Sequence, residues 1–297
     1  MRDLLLRRRN LLIRKQEEEM NIRAVCFEAD GEQTVAITKV GSAPAITMQY
    51  SYDGKTWDAW DLSALPFGGS TKVYVRGVGN VNFATYSTKN TFTFGTDAYV
   101  YVSGIAESLL DGENEVAEYN KSYTFSSLFY NQTALREADR LRFEAISNSE
   151  QCYASMFEGC SNLLSAPELP ATILGHSPYR YMFRYCSSLV KAPSILPATT
   201  FLSGWTYTNM FQGCTSLIDA PELPAETLSN ACYWNMFNGC TSLKTIRCRA
   251  KVTAKDDTYQ WLYGVKTAGT LYGHSEYGWS SGVHGIPTTW TFVELTD

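Results

Sequence analysis

The chain has 297 residues, 44% of them hydrophobic and 19% charged, with three histidines and a net charge of −5. That composition supplies a sizeable core, excludes a disordered tail and leaves little material for a histidine-based metal site. The charge is split, since residues 1–15 carry +5 and the remaining 282 carry −10; an acidic body of this kind is a poor partner for nucleic acid, whose binding rests on neutralised phosphates.

Residues 1–19 come first as a basic arm. Leu4 and Leu5 recur seven residues later as Leu11 and Leu12, with Arg7, Arg8 and Arg9 between them and Arg14 beyond. The spacing predicts a helix with a narrow apolar seam edged by arginines. Such a seam suits docking onto a protein groove or a short coiled coil. It does not suit a membrane surface, because Arg8 and Arg9 stand where a broad apolar face would need hydrophobic residues. The two apolar triplets are too short for a secretory signal, and no stretch approaches the roughly 20 apolar residues that span a bilayer. Export by the ordinary route and membrane insertion are therefore not expected.

Residues 20–104 read as β structure. Gln33-Thr38, Ala45-Tyr52, Thr71-Arg76, Thr91-Phe94 and Ala98-Val102 are β-branched and aromatic runs set between Gly, Pro, Asn and Asp. Asp53-Gly54 between Tyr50 and Trp57 predicts a hairpin with a type I′ turn. A small antiparallel sandwich follows as the expectation, and the polar stretch 105–120 reads as a linker.

Residues 121–250 carry an internal repeat. LFYNQTAL (128–135), MFEGCSNL (156–163), MFRYCSSL (182–189), MFQGCTSL (210–217) and MFNGCTSL (236–243) recur at steps of 26 or 28 residues, within the leucine-rich-repeat range. Each middle copy is followed by a proline-rich block of the type Ala220-Pro221-Glu222-Leu223-Pro224, which makes a return turn. Leu228, Cys232 and Met236 fall at i, i+4 and i+8, which predicts a short helix capped by Gly239, followed by a short strand through Leu243, Ile246 and Cys248. The pattern M-F-x-G-C-[ST]-x-L-x-x-A-P-x-L-P-A-x-x-L resembles the BspA-like leucine-rich repeats of gut-bacterial surface proteins and of the phages and prophages of such bacteria. The resemblance implies a solenoid used for surface display, with residues 251–297 as the segment that closes the array. The expected fold class is thus α+β: a basic helical arm, a small antiparallel β-sandwich, a leucine-rich-repeat solenoid and a C-terminal cap.

The cysteines recur in register at positions 160, 186, 214 and 240 with no C-x-x-C pair, which favours buried free thiols over metal ligands or disulfides. No metal site, no cofactor and no catalytic constellation is expected, and the chain reads as a non-enzyme. Tyr153, Tyr179, Tyr207 and Tyr233 share one repeat position and suit a core ladder. Tyr181, Trp205 and Trp234 do not repeat in register and are the candidate ligand-facing aromatics. The resulting expectation is a capsid or tail decoration of a phage virion. Residues 1–19 would dock on a capsid or tail protein of the same particle, and the repeats would adhere to a host-surface glycan or protein. A second copy of the chain is a further candidate partner. A bacterial cell-surface adhesin is the alternative.

Overall fold

The computed structural model describes residues 22–69, 71–96, 98–116, 119–144, 149–169, 173–197, 200–201, 204–251, 255–274, 279 and 281–296. The docking arm, with Leu4, Leu5, Arg7, Arg8, Arg9, Leu11, Leu12 and Arg14, lies outside the described residues.

Two facing sheets form the amino-terminal part. Strands β1 (Val25–Ala29), β3 (Met48–Ser51), β4 (Asp58–Trp60), β6 (Lys72–Gly77), β8 (Val100–Ile105) and β9 (Leu135–Arg142) make a six-stranded sheet in the order β4-β3-β6-β1-β8-β9. Strands β2 (Thr34–Val40), β5 (Leu65–Pro66) and β7 (Lys89–Phe94) make the second, in the order β5-β2-β7. Alternation along β1 sends Val25, Phe27 and Ala29 inward, where Phe27 meets Phe92 and Phe94 edge-on at 5.0 and 5.2 Å. The loop between β3 and β4 runs over residues 52–57, so the two-residue turn is not made. Asp53 organises it instead, its carboxylate accepting the backbone N–H groups of Thr56 and Lys55 at 2.8 Å each.

The connection at 105–120 is not simply polar. Ile105 to Leu110 are buried, and Ala106–Leu109 make one turn of 3-10 helix. Strand β9, contributed by the first repeat, pairs in parallel with β8 and so belongs to the amino-terminal sheet.

The repeats stack, but they are not built from helices. Among the described residues there is no α-helix, only 3-10 turns at Ala106–Leu109 and Lys255–Thr258, so the α+β expectation is corrected to an essentially all-β chain rich in turns. Backbone hydrogen bonding gives the reason. In the unit 151–160, the N–H groups of Ala154, Met156, Glu158 and Cys160 donate three residues back, to Gln151, Tyr153, Ser155 and Phe157. The alternate N–H groups of Gln151, Tyr153, Ser155, Phe157 and Gly159 donate instead to His176, Pro178, Arg180, Met182 and Arg184 of the next unit, at 2.8 to 3.0 Å. Every fourth residue is left-handed, with φ of +49° at Gln151, +56° at Ser155 and +78° at Gly159. An α-helix would keep all its bonds within one segment and tolerates no such residue. This ribbon of overlapping turns therefore has a true period of four residues, which over ten residues is easily taken for the helical 3.6.

The strands also fail to make the expected helix-and-strand solenoid. Beyond β9 they fall into a two-stranded pair, β10 (Ile173–Leu174) with β11 (Thr200–Phe201), and a separate parallel sheet of β12 (Thr245–Arg247), β13 (Thr270–Gly273) and β14 (Thr291–Glu294). Single bridges such as Glu137 to Ser165 and Ser165 to Lys191 join the units between them. The ribbon continues into the carboxyl-terminal segment, because Tyr233, Asn235, Phe237 and Gly239 donate to the carbonyls of Asp257, Tyr259, Trp261 and Tyr263.

Stacking places equivalent side chains on top of one another. Phe129, Phe157, Phe183, Phe211 and Phe237 form a parallel column with centroids 5.3 to 5.6 Å apart, and Phe92 of β7 sits on its first ring at 5.6 Å. The two sheets and the repeats consequently share one core. Beside that column run Tyr153, Tyr179, Tyr207 and Tyr233, all buried. The thiols of Cys160, Cys186, Cys214 and Cys240 each donate to the carbonyl of a phenylalanine in the preceding unit, at 3.0 or 3.1 Å. All eight cysteines of the chain are buried, and none is in a disulfide.

Candidate binding surface

The ribbon's left-handed sites recur every four residues; Ser177, Asn209 and Ala231 are buried at theirs, and others are part-covered or exposed. Most units fill those sites with residues that bear positive φ cheaply: Ser155, Asn209 and Asn235 in one column, Gly159, Gly213, Gly239 and Gly264 in the next. The third unit departs. It places Tyr181 and Tyr185 there, both at φ +61°, while the site that opens each unit holds Tyr123, Gln151, Ser177, Trp205 and Ala231 in turn, at φ +49° to +65°. A bulky residue held left-handed costs about 1–2 kcal/mol. The Tyr181, Tyr185 and Trp205 side chains are only part-covered, so burial does not offset that strain in full.

Arginine accompanies the strained rings. The Arg180 guanidinium carbon lies 4.5 Å from the Tyr181 ring centre and 5.6 Å from that of Trp205. Arg184 lies 5.0 Å from Tyr181 and 4.5 Å from Tyr185. Trp205 then stacks on Trp234 at 5.7 Å, Trp234 touches Tyr259 at 4.6 Å, and Tyr259 reaches His284 at 5.3 Å. The result is one unbroken strip across five successive layers: Tyr185, Arg184, Tyr181, Arg180, Trp205, Trp234, Tyr259, His284. Tyr185 is its most open member, at 48% exposure. Its ring lies over Gly213, where an added Cβ would come within 2.6 Å of it, so the glycine below is matched to the tyrosine above.

Two hydrogen bonds fix the strip internally. Arg180 Nη2 donates to the Tyr181 hydroxyl at 2.7 Å, and Arg184 Nη2 donates to the Tyr185 hydroxyl at 2.8 Å. Arg184 also faces Glu158 of the preceding unit at 3.5 Å. Arg180 has no carboxylate within ion-pair distance among the described residues.

The structure thus brings Tyr181, Trp205 and Trp234 together, with Arg180 as the bridge. Sequence reasoning missed Arg180, Arg184, Tyr185, Tyr259 and His284. For the first three a signal was present: Arg184-Tyr185 interrupts the x-Gly-Cys pattern of the other middle units, and Arg180-Tyr181 repeats the same dipeptide four residues earlier.

The remaining candidates are engaged elsewhere. A depression of about 540 Å³ between the sheets and the first repeat is lined by Asp30, Tyr99 and Asn162 among others. Asp30 accepts the Tyr99 backbone N–H, and Asn162 donates to the Thr133 carbonyl. Burial pushes the Cys160, Cys240 and Cys248 thiols up to about 12, far from the thiolate form that a nucleophile or metal ligand requires. Among the described residues no group of three His, Cys, Asp or Glu side chains is placed to hold a metal ion. No protein-family model, curated protein or solved structure matches the chain.

Proposed function

We propose that this protein is a non-enzymatic display protein of a phage particle, a capsid or tail decoration held by residues 1–19 and presenting its repeats to a host-surface glycan or protein. The observation that carries the adhesive part is the strip itself. Tyr181, Tyr185 and Trp205 sit at left-handed positions, and none of the strip's rings belongs to the buried tyrosine and phenylalanine columns. Strain of that kind persists where a surface is held ready for a ligand. The docking part rests on the seam of Leu4, Leu5, Leu11 and Leu12 with its arginines, and on the likeness of the repeats to those of phage-encoded surface proteins. Many copies on one particle would turn weak single contacts into avid attachment.

The likeness equally favours a bacterial cell-surface adhesin, and one experiment separates the two. Purified particles and host envelope fractions are probed for the protein, alongside a variant lacking residues 2–19. Incorporation into particles that the deletion abolishes supports the virion reading. Recovery from the envelope alone, or incorporation that survives the deletion, overturns it.

A further inference from the structure

We propose, resting on the adhesive reading above, that the ligand of the strip is a carboxylate-bearing polysaccharide, with Arg180 as the residue that recognises the carboxylate. The chemistry presented to solvent is the starting point. The ring faces are largely taken up, because Arg180 lies against Tyr181 and Trp205, Arg184 against Tyr181 and Tyr185, and Trp205 against Trp234. What the strip offers outward is therefore its edges.

Those edges are rich in donors. A guanidinium group has five N–H donors and no acceptor, and an indole has one N–H donor and no acceptor. The Tyr181 and Tyr185 hydroxyls each already accept an N–H from arginine, which turns their own O–H outward as a donor. The indole nitrogens of Trp205 and Trp234 have no hydrogen-bond partner among the described residues. A complementary ligand must then be rich in acceptors and negatively charged.

Pre-organisation points to a carboxylate. Stacking fixes the plane of Arg180 between two rings, so its fork is held for a planar, two-oxygen acceptor without further ordering. The linear form of the strip selects a polymer. It crosses five successive layers, and successive stacked rings in the neighbouring columns are 5.3 to 5.7 Å apart, close to the length of one sugar ring. Nucleic acid is disfavoured, since two guanidinium groups on a body of net negative charge do not match its dense phosphate charge.

The test uses the full chain. Its binding to polygalacturonate and polysialic acid is measured by calorimetry beside dextran, dextran sulfate and polyglutamate. The expected result is binding to the carboxylated polysaccharides that weakens with salt and falls at least tenfold in Arg180→Gln and in Trp205→Ser, while Arg140→Gln on β9 leaves it unchanged. Arg180→Lys provides the check should Arg180→Gln fold poorly: it keeps the charge, loses the fork and should bind several-fold more weakly. Equal binding to dextran, a preference for dextran sulfate or polyglutamate, or full binding by Arg180→Lys and Arg180→Gln overturns the assignment. Attachment to host cells separates the two levels. If Trp205→Ser abolishes attachment while no carboxylated polymer binds, only the ligand class falls. If attachment survives Arg180→Gln and Trp205→Ser together, the adhesive strip falls with it.

Discussion

Adjacent units of the repeat stack agree in their stacked columns and disagree beside them. In the third unit the buried residues are Tyr179, Met182, Phe183 and Cys186, and the fourth has Tyr207, Met210, Phe211 and Cys214 at the same places. The third then has Arg180, Tyr181, Arg184 and Tyr185, part-covered or exposed, where the fourth has the buried Thr208 and Asn209 and the part-covered Gln212 and Gly213. Each inward ring must fit the copy above and the copy below, which leaves one solution repeated along the column. The remaining positions are not held to one ring column in this way, and they are covered in the fourth unit at Thr208 and Asn209 but part-exposed in the third at Arg180 and Tyr181. A bulky, strained choice there is free to serve something other than folding.

Loss of an inward ring should have the largest effect. Phe183→Ala removes the middle of the phenylalanine column, between Phe157 and Phe211, and should lower unfolding free energy by about 3–5 kcal/mol in denaturant titration. A loss below 1 kcal/mol would mean that the columns are not the source of stability. Next comes the seam between inside and outside. Gly213→Ala forces a Cβ to 2.6 Å from the Tyr185 ring at φ +75° and should cost about 1–3 kcal/mol. Adding Tyr185→Gly should recover part of that loss, and a double-mutant cycle with no coupling would break the proposed pairing of ring and glycine.

The thiol ladder makes a prediction about pH. Burial raises the Cys160, Cys240 and Cys248 thiols from 9.0 to about 12, so folding favours their neutral forms. Their contribution is complete below pH 9, where the unfolded chain is also protonated, and is lost progressively as pH rises toward 12. Thermal midpoints should be level through neutral pH and decline above pH 9, and an alkylating reagent at pH 8 should label the eight cysteines only after denaturant is added. The smallest effect belongs to Asp53, on the amino-terminal loop. Backbone N–H groups of Thr56 and Lys55, and then the Ser51 hydroxyl, hold its carboxyl well below the usual range. Asp53→Ala should lower the midpoint slightly at neutral pH, and the difference should close as acid protonates the wild-type carboxylate.

How much of this was legible follows the same division. The inward columns stood in the sequence because Tyr, Met, Phe and Cys recur at fixed steps. The helix did not follow from them, since a period of four with two buried residues in each four mimics a helical stripe over one short unit; the left-handed Gln151, Ser155 and Gly159 are what decide against it. The last rung was disguised because Trp261 and Leu262 stand where Met236 and Phe237 stand, although Gly264 kept its place. The strip is only partly legible in the sequence, because Arg180 joins Tyr181 to Trp205 only once the units stack. Strands β1 and β4 escaped notice for a different reason: Val25–Ala29 carries Cys26 and Glu28 among its apolar residues, and Asp58–Trp60 is three residues long.

One variant tests the division most directly. Arg180→Thr, Tyr181→Asn, Arg184→Gln and Tyr185→Gly together give the third unit the corresponding residues of the fourth while leaving the Tyr, Met, Phe and Cys columns intact. With thermal unfolding and attachment to host cells measured on the same preparation, the account predicts a midpoint within a few degrees of wild type and loss of attachment. A collapsed midpoint, or attachment at the wild-type level in a folded variant, would contradict it.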